Sequence, residues 1–295
     1  MPLSDQIIYR SEFHPNPPLA VLEFLKNDLK VGIKYVVLLS GDGSEHLGRL
    51  WMKHVHLLCL IEENKDKLDF YNRALAGSGE FWSKSAILSE IPVDADSIDC
   101  TVLLGEKFYT ALNNSEFTAE IQRIMRLNCF TAGILHQLSA DTERTFGWAY
   151  SHFFRQYSDS HIYEYELEIP TETLETFYKS GYEVKSFPNQ LRLNWEELQM
   201  HYIASIGALS PDAPNFKWAM KALRIIFEQY QTEEVVLIDY QTIVYYGLFN
   251  KFVPAISLRK NIFFTLLRPF ALGFYILVKM NVYFWKMIEK LFSKK

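Results

Sequence analysis

Two glycines and two acidic residues follow consecutive apolar segments in the first quarter of the chain. The turn Gly41-Asp42-Gly43 comes soon after the apolar run Tyr35–Leu39, and the pair Glu62-Glu63 directly follows a second run, Val55–Ile61. Glycines let a backbone approach a ligand closely, and the N-terminus of the following helix offers free N–H groups. An acid at the tip of the next strand can bind two ribose hydroxyls. The pattern therefore indicates nucleotide binding.

Between the two apolar runs, residues 45–53 have a sequence that can be helical, so the order is strand, glycine turn, helix, strand and acid. Each residue also has a plainer interpretation. A two-glycine turn often serves only as a tight connection, and Asp42 could cap the helix that follows it. Glu62 could be a solvated acid at a strand end, and Glu63 could take its place as the ligand.

Further strands and helices alternate along the chain, which predicts an α/β protein with a parallel sheet covered on both faces. The predicted strands also include residues 81–87, 97–104, 131–138, 182–193 and 235–246, and the predicted helices include 19–29, 65–76, 117–127, 195–204 and 215–229. Residues 142–157 form an aromatic helix, which we interpret as core or lid packing.

Several ordered segments carry a family resemblance. They are the glycine turn, Glu62, Ile91-Pro92 with Ser97-Ile98-Asp99, the helix end Glu120–Arg126, and the later stretches Phe187–Asn189, Trp195–Leu198, Ser205 and Tyr240–Gly247. Together, from about residue 17 to residue 247, they resemble the class I S-adenosylmethionine (SAM)-dependent methyltransferases. The similarity is greatest to the bacterial branch near the ubiquinone-biosynthesis and trans-aconitate enzymes.

The resemblance implies a three-layer, seven-stranded Rossmann-like sheet over residues 1–253 and SAM as the cofactor. By position in the family pattern, it predicts these cofactor-binding residues: Gly41, Asp42, Gly43, Glu62, Glu63, Ser85, Ala86 and Leu104. Catalytic residues are not predicted, because methyl transfer needs mainly the alignment of an acceptor with an activated methyl group. Residues Lys107, Tyr109, Trp148 and Tyr150 fall on the expected acceptor side, where we interpret them as structural.

The chain also departs from the family pattern. Leu39 stands where an acid usually ends the first strand, Glu45 replaces the third glycine, and Leu88-Ser89 replaces an Ala-Glu pair. Loss of a carboxylate at the methionine end would remove a charge-assisted hydrogen bond worth about 1.5–3 kcal/mol, which is roughly ten- to a hundredfold in affinity. These changes support an alternative in which the fold is retained but cofactor binding is lost.

Composition excludes some classes of protein. The three cysteines follow no metal or redox spacing, the histidines show no metal-binding spacing, and we expect no metal site. The net charge is −5, but residues 254–295 contain eight basic residues and one acid, so the remaining chain carries −12. An acidic body argues against nucleic-acid binding. Asp5, Arg10 and Glu12 interrupt any apolar run near the N-terminus, so we expect a cytoplasmic protein without a signal peptide.

Residues 254–295 are predicted to form a separate basic, amphipathic helical tail. Arg268, Lys279, Lys286 and Lys290 return to nearly the same helical face, and apolar and aromatic residues surround them. This pattern favours a helix in the interface of an anionic membrane over one that spans it. The tail could instead pack on the domain or on another subunit.

Three hypotheses follow from the sequence. The first is a SAM-dependent methyltransferase that acts on a small or lipophilic acceptor, with its tail at the inner face of a membrane. The second is a catalytically inactive protein of the same fold that serves as a membrane-attached scaffold or partner subunit. A dinucleotide-dependent dehydrogenase would fit the first strand–helix–strand unit but not the later segments, so we rank it last.

Overall fold

In the computed structural model, which describes residues 14–139, 145–158 and 168–249, a seven-stranded sheet has the order β3-β2-β1-β4-β5-β7-β6. Strands β1 to β5 are parallel, and β7 runs antiparallel to both β5 and β6. This confirms the predicted seven-stranded α/β architecture. The strands are β1 (Val36–Ser40), β2 (Leu57–Glu62), β3 (Phe81–Ser85), β4 (Ile98–Leu104), β5 (Met125–Leu138), β6 (Glu183–Asn194) and β7 (Val235–Leu248).

Helices connect the strands and cover the sheet. They are α1 (Leu19–Asn27), α2 (Ser44–Trp51), α3 (Lys65–Leu75), α4 (Glu106–Asn113), α5 (Ser115–Ile124), α6 (Phe146–Gln156), α7 (Thr171–Phe177), α8 (Trp195–Ala204) and α9 (Phe216–Tyr230). A 3-10 turn, Met52–His54, follows α2.

Alternate residues of the central strands enter two hydrophobic clusters, because successive side chains of a strand point to opposite faces. Leu39, Leu60 and Leu104 join the cluster under α1, α2 and α3, whereas their neighbours Leu38 and Ile61 join the cluster under α4, α5 and α7. Strand β4 is buried along its whole length. This burial on both faces is what a near-continuous apolar strand requires.

The aromatic helix α6 packs with α8 and α9 against β6 and β7 in a third cluster. Tyr150 and Phe154 of α6 are fully buried, and Phe154 meets the ring of Tyr202 edge to face at 5.9 Å between centroids. In the described part of this segment, most of the aromatic residues therefore pack in a core, which is one of the two interpretations given above, core or lid packing.

Three hydrogen bonds, made by two side chains, join α5 to the loop before β4. Arg123 donates hydrogen bonds to the carbonyls of Ile91 and Val93 and to Glu120, whose carboxylate also accepts the Ile91 N–H group. The hydrogen bond from Arg123 lowers the pKa of Glu120. The family-like segment that ends α5 thus has a structural role in this chain.

The end of α5 differs from the prediction. The helix was expected to continue to Leu127, but it ends at Ile124, and β5 begins at Met125 and not at Thr131. The carbonyls of Arg123 and Ile124 accept the N–H groups of Asp96 and Ser97, so they are bonded outside the helix. Helices α4 and α7 were not predicted individually.

A chain of side-chain hydrogen bonds joins β5, β7 and β6 to the segment before α1. Nδ1 of His136 lies 3.0 Å from Oγ1 of Thr242, which accepts a hydrogen bond from Asn189 at 3.1 Å. Asn189 also donates to the carbonyl of Asn16 at 2.9 Å. Burial lowers the pKa of His136 to about 3, so its imidazole is neutral near pH 7.

The predicted tail lies outside the described residues. Within the described part of the chain, no helix is both long enough and apolar enough to cross a bilayer.

Replacing Gly133 with alanine should destabilise the protein. A Cβ at Gly133 would lie 2.2 Å from the ring of Phe108, which is fully buried in α4. Overpacking of this kind costs about 1–3 kcal/mol, measurable as a lower urea midpoint. Gly32→Ala is the control, since the nearest atom to its added Cβ is 3.9 Å away. Equal stability of the two variants would contradict the tight packing between β5 and α4.

His136 should make the fold sensitive to acid. Because its pKa is lowered to about 3 on folding, from an ordinary value near 6.5, its contribution to stability is present above pH 6.5 and is lost as the pH falls toward 3. Between pH 7 and pH 4.5 this loss amounts to up to about 3 kcal/mol. Urea unfolding of the wild type and of His136→Asn, which keeps a polar atom near Thr242, should show a smaller loss in the variant. Parallel pH profiles would contradict this assignment.

Candidate functional site

The carboxyl ends of β1 and β4 meet where the strand order reverses, which is where open α/β sheets bind ligands. Gly41 follows β1 with φ at 114°, and a Cβ on it would lie 2.1 Å from the carbonyl oxygen of Leu104. The hydroxyl of Tyr71 donates to the carbonyl of Gly41 at 3.2 Å. Only glycine fits between the two strand ends, whatever else the turn does.

Gly43 is the residue that caps the N-terminus of α2, and its φ of 87° is in the left-handed region. A Cβ on Gly43 would lie 3.3 Å from Cδ of Pro17 and 3.6 Å from Oδ1 of Asn16. The segment before α1 therefore lies close to the glycine turn. Glu45, in the first turn of α2, has only 3% of its surface exposed, in a position where the helix dipole favours an anion.

Glu62 ends β2 and has only 3% of its surface exposed. Its Oε1 accepts the N–H group of Asn64 at 3.0 Å, and the Asn64 side chain in turn caps α3. Its Oε2 accepts no hydrogen bond from any described residue. A buried carboxylate oxygen with unused acceptor capacity is costly, so this atom is the best candidate for binding a hydroxyl donor.

Lys67, in the first turn of α3, brings a positive charge to the same place. Its ammonium forms an ion pair with Asp42 of the glycine turn and lies 3.4 Å from Oε2 of Glu62. Asp42 therefore pairs with Lys67 through its side chain, and Gly43 occupies the N-cap position of α2.

Glu63 faces a different environment from that of its neighbour. Its carboxylate is 43% exposed and forms an ion pair with Lys107 of α4 at 3.1 Å. The hydroxyl of Ser85 donates to the carbonyl of Glu63, and the Ala86 N–H group donates to the carbonyl of Glu62. The structure thus distinguishes the two acids: one is buried at the strand tip, and the other is a half-exposed ion-pair partner.

Contacts link all of the predicted cofactor-binding residues along one edge of the sheet. They lie at the ends of β1 to β4 or directly after them: Gly41, Asp42, Gly43, Glu62, Glu63, Ser85, Ala86 and Leu104. Ligand binding by these residues stays a prediction. Sequence reasoning missed Lys67 and Asn64. The helix that follows β2 must start at the same edge, so a cation in its first turn was the available signal.

The residues that depart from the family pattern have separate positions. Leu39 and Leu88 are buried, each in one of the two hydrophobic clusters. Leu39 is also not the last residue of its strand, because β1 ends at Ser40, whose hydroxyl donates to the carbonyl of Ile61. Glu45 is thus the departure that places a charge beside the glycine turn.

Three of the residues expected on the acceptor side, Tyr109, Trp148 and Tyr150, make packing contacts with other side chains. Tyr109 is half-buried beside the second cluster, and burial raises its pKa. The rings of Trp148 and His152 lie 4.2 Å apart between centroids, and Tyr150 is fully buried. In the described residues, no group of three or more histidines, cysteines or acids is arranged to hold a metal ion.

An open groove of about 520 Å³ borders Ser85 and Ala86, which the family resemblance places where an adenine-contacting loop should be. It is lined by residues that include Ser85, Ala86, Ile91, Glu120 and Arg123. The hydrogen bonds between Glu120, Arg123 and Ile91 fix one wall of this groove.

Comparisons with known proteins identify the fold. No family model and no curated protein matches the sequence. Among solved structures, YcgJ from Bacillus subtilis aligns with a TM-score of 0.51 and 13% identity, over 79% of this chain and 99% of that chain. A putative type II methyltransferase from Anaeromyxobacter dehalogenans aligns with a TM-score of 0.49 and 12% identity, over 81% and 99%. A putative methyltransferase from Bacillus halodurans C-125 aligns with a TM-score of 0.48 and 11% identity, over 76% of this chain and 97% of that chain. The seven-stranded mixed sheet with flanking helices is the Rossmann-like fold of the class I methyltransferases.

Proposed function

We propose that this protein is a SAM-dependent methyltransferase that acts on a small or lipophilic acceptor. The observation that carries the proposal is Glu62: its carboxylate is buried at the tip of β2, and one of its oxygens accepts no hydrogen bond from any described residue. In this fold the tip of β2 is beside the switch point between β1 and β4, where a nucleoside would lie.

The residues at the edge fit the parts of SAM that they would hold. Glu62 would accept hydrogen bonds from the ribose hydroxyls, and the backbone of the loop Ser85-Ala86 would border the adenine. The turn Gly41-Asp42-Gly43 would approach the methionine end, where the N-terminus of α2 favours a carboxylate. SAM supplies an activated methyl group, so the contribution of this chain would be to bind the cofactor and to align the acceptor.

A lipophilic acceptor is consistent with the composition of residues 254–295. Their basic stripe and aromatic residues favour the surface of an anionic membrane, at the inner membrane face in the cell. We propose that this tail brings the methyltransferase domain to the membrane in which the acceptor is dissolved. The alternative partner of the tail is another protein surface.

A second candidate function is a catalytically inactive scaffold or partner subunit. The buried carboxylate of Glu45 beside the glycine turn favours it, because a second anion there would oppose the carboxylate of methionine. The end of β1 also favours it, because Leu39 and Ser40 stand there and neither is an acid.

Glu62→Gln should weaken binding of S-adenosylhomocysteine by about ten- to a hundredfold, because charge-assisted hydrogen bonds to the ribose become neutral ones. Calorimetric titration of both proteins measures this, with the wild type expected to bind in the micromolar range. Glu63→Gln is the matched control, and we expect it to change the affinity less than threefold.

The outcomes separate the candidates. A large loss of affinity for S-adenosylhomocysteine in Glu63→Gln, with no loss in Glu62→Gln, would reverse the assignment of the ribose ligand. Failure of the wild type to bind at millimolar concentration would overturn the methyltransferase proposal and favour the scaffold.

The tail should confer binding to anionic lipid. Sedimentation of the full chain with vesicles of phosphatidylcholine and phosphatidylglycerol measures this binding. The affinity for the vesicles should fall by about tenfold or more in K279E/K286E/K290E, because each basic residue near such a surface contributes about 1 kcal/mol. K34E/K53E/K179E is the control, because it makes the same charge change at exposed positions of the body. An equal loss of vesicle binding in both variants would contradict a specific role for the tail.

A further inference from the structure

The ammonium of Lys67 lies between two carboxylates that belong to different elements. It pairs with Asp42 after β1, and it lies 3.4 Å from the buried Oε2 of Glu62 at the end of β2. The side chains of Lys67 and Asp42 are 18% and 16% exposed, and that of Glu62 is 3% exposed. The three groups therefore interact where water screens them only in part.

Lys67 and a ribose would need the same atom. A hydroxyl that donates to Oε2 of Glu62 must share this oxygen with the ammonium or displace it, because the ammonium lies only 3.4 Å from Oε2. The other oxygen, Oε1, already accepts the Asn64 N–H group. Without a ligand, Lys67 compensates the charge of the buried carboxylate, which would otherwise be strongly disfavoured. The same contact that stabilises the empty site therefore competes with the ligand.

We infer that Lys67 is an internal competitor for Glu62, and that Asp42 limits this competition by holding the lysine. This inference rests on the proposed function, since it concerns the affinity of that same site for a nucleoside. In the bound state the ammonium stays with Asp42 and leaves Oε2 of Glu62 to the ribose hydroxyls. Asp42 then acts as a positioning residue and not as a ligand.

The two side chains should have opposite effects on affinity. Lys67→Met removes the competitor and should tighten binding of S-adenosylhomocysteine by about fivefold, as expected for a partly exposed ion pair. Asp42→Asn releases the lysine toward Glu62 and should weaken binding by a similar factor. In the Lys67→Met background, Asp42→Asn should have less than a twofold effect, because no lysine remains to be held.

The experiment is a calorimetric double-mutant cycle at pH 8. Lys65→Met is the matched control: it removes the same charge from an exposed position of α3 and should leave the affinity unchanged. Thermal unfolding establishes that each variant is folded. If Lys67→Met is unfolded, Lys67→Gln, which also removes the charge, takes its place in both arms of the cycle.

The results distinguish the inference from the proposed function. Unchanged or weaker binding by folded Lys67→Met, while the wild type binds, would overturn the inference alone. If Asp42→Asn weakens binding equally in the wild type and in Lys67→Met, the inference is also overturned, because Asp42 would then contact the ligand itself. No binding by the wild type or by any folded variant would overturn the proposed function and this inference with it.

Discussion

The close approach of Gly41 to the carbonyl of Leu104 is the constraint on which the carboxyl edge of the sheet depends. Any side chain at residue 41 would collide with the end of β4, and the backbone there has a conformation that only glycine adopts easily. Because this contact brings the ends of β1 and β4 together, α2 starts directly beside the crevice. The turn would be required for packing even in a protein that binds nothing, so the glycines alone do not establish a function.

The charges at this edge carry more information than the glycines. Acidic side chains follow β1 and β2, and two helices that begin at the same edge supply lysines to them. Lys67 forms ion pairs with Asp42 and Glu62, and Lys107 forms an ion pair with Glu63. Burying a carboxylate such as Glu62 is unfavourable unless a ligand or a counterion compensates for it. Glu62 has Lys67 as its counterion, so the feature that makes it a candidate ligand is the buried Oε2, which accepts no hydrogen bond from any described residue.

Much of the fold could be predicted because its signals are local. Apolar runs such as residues 35–39 and helical periodicity such as that of residues 65–76 agree with strands and helices to within a few residues. The prediction was wrong where tertiary contacts set a boundary. Helix α5 ends at Ile124 because the loop at Asp96 and Ser97 supplies hydrogen bonds to its last carbonyls, and β5 begins earlier for the same reason.

The sequence by itself determined the class of fold, the edge of the sheet at which a site would lie, and the residue types gathered there. These follow from chain order, because parallel strands joined by helices place all their carboxyl ends on one side. Only the tertiary structure showed that Glu62 is buried while Glu63 is half-exposed, and only it placed Lys67 between two carboxylates. Burial and the distance between charges depend on how separate elements pack, and the position of one residue in the chain does not contain that information.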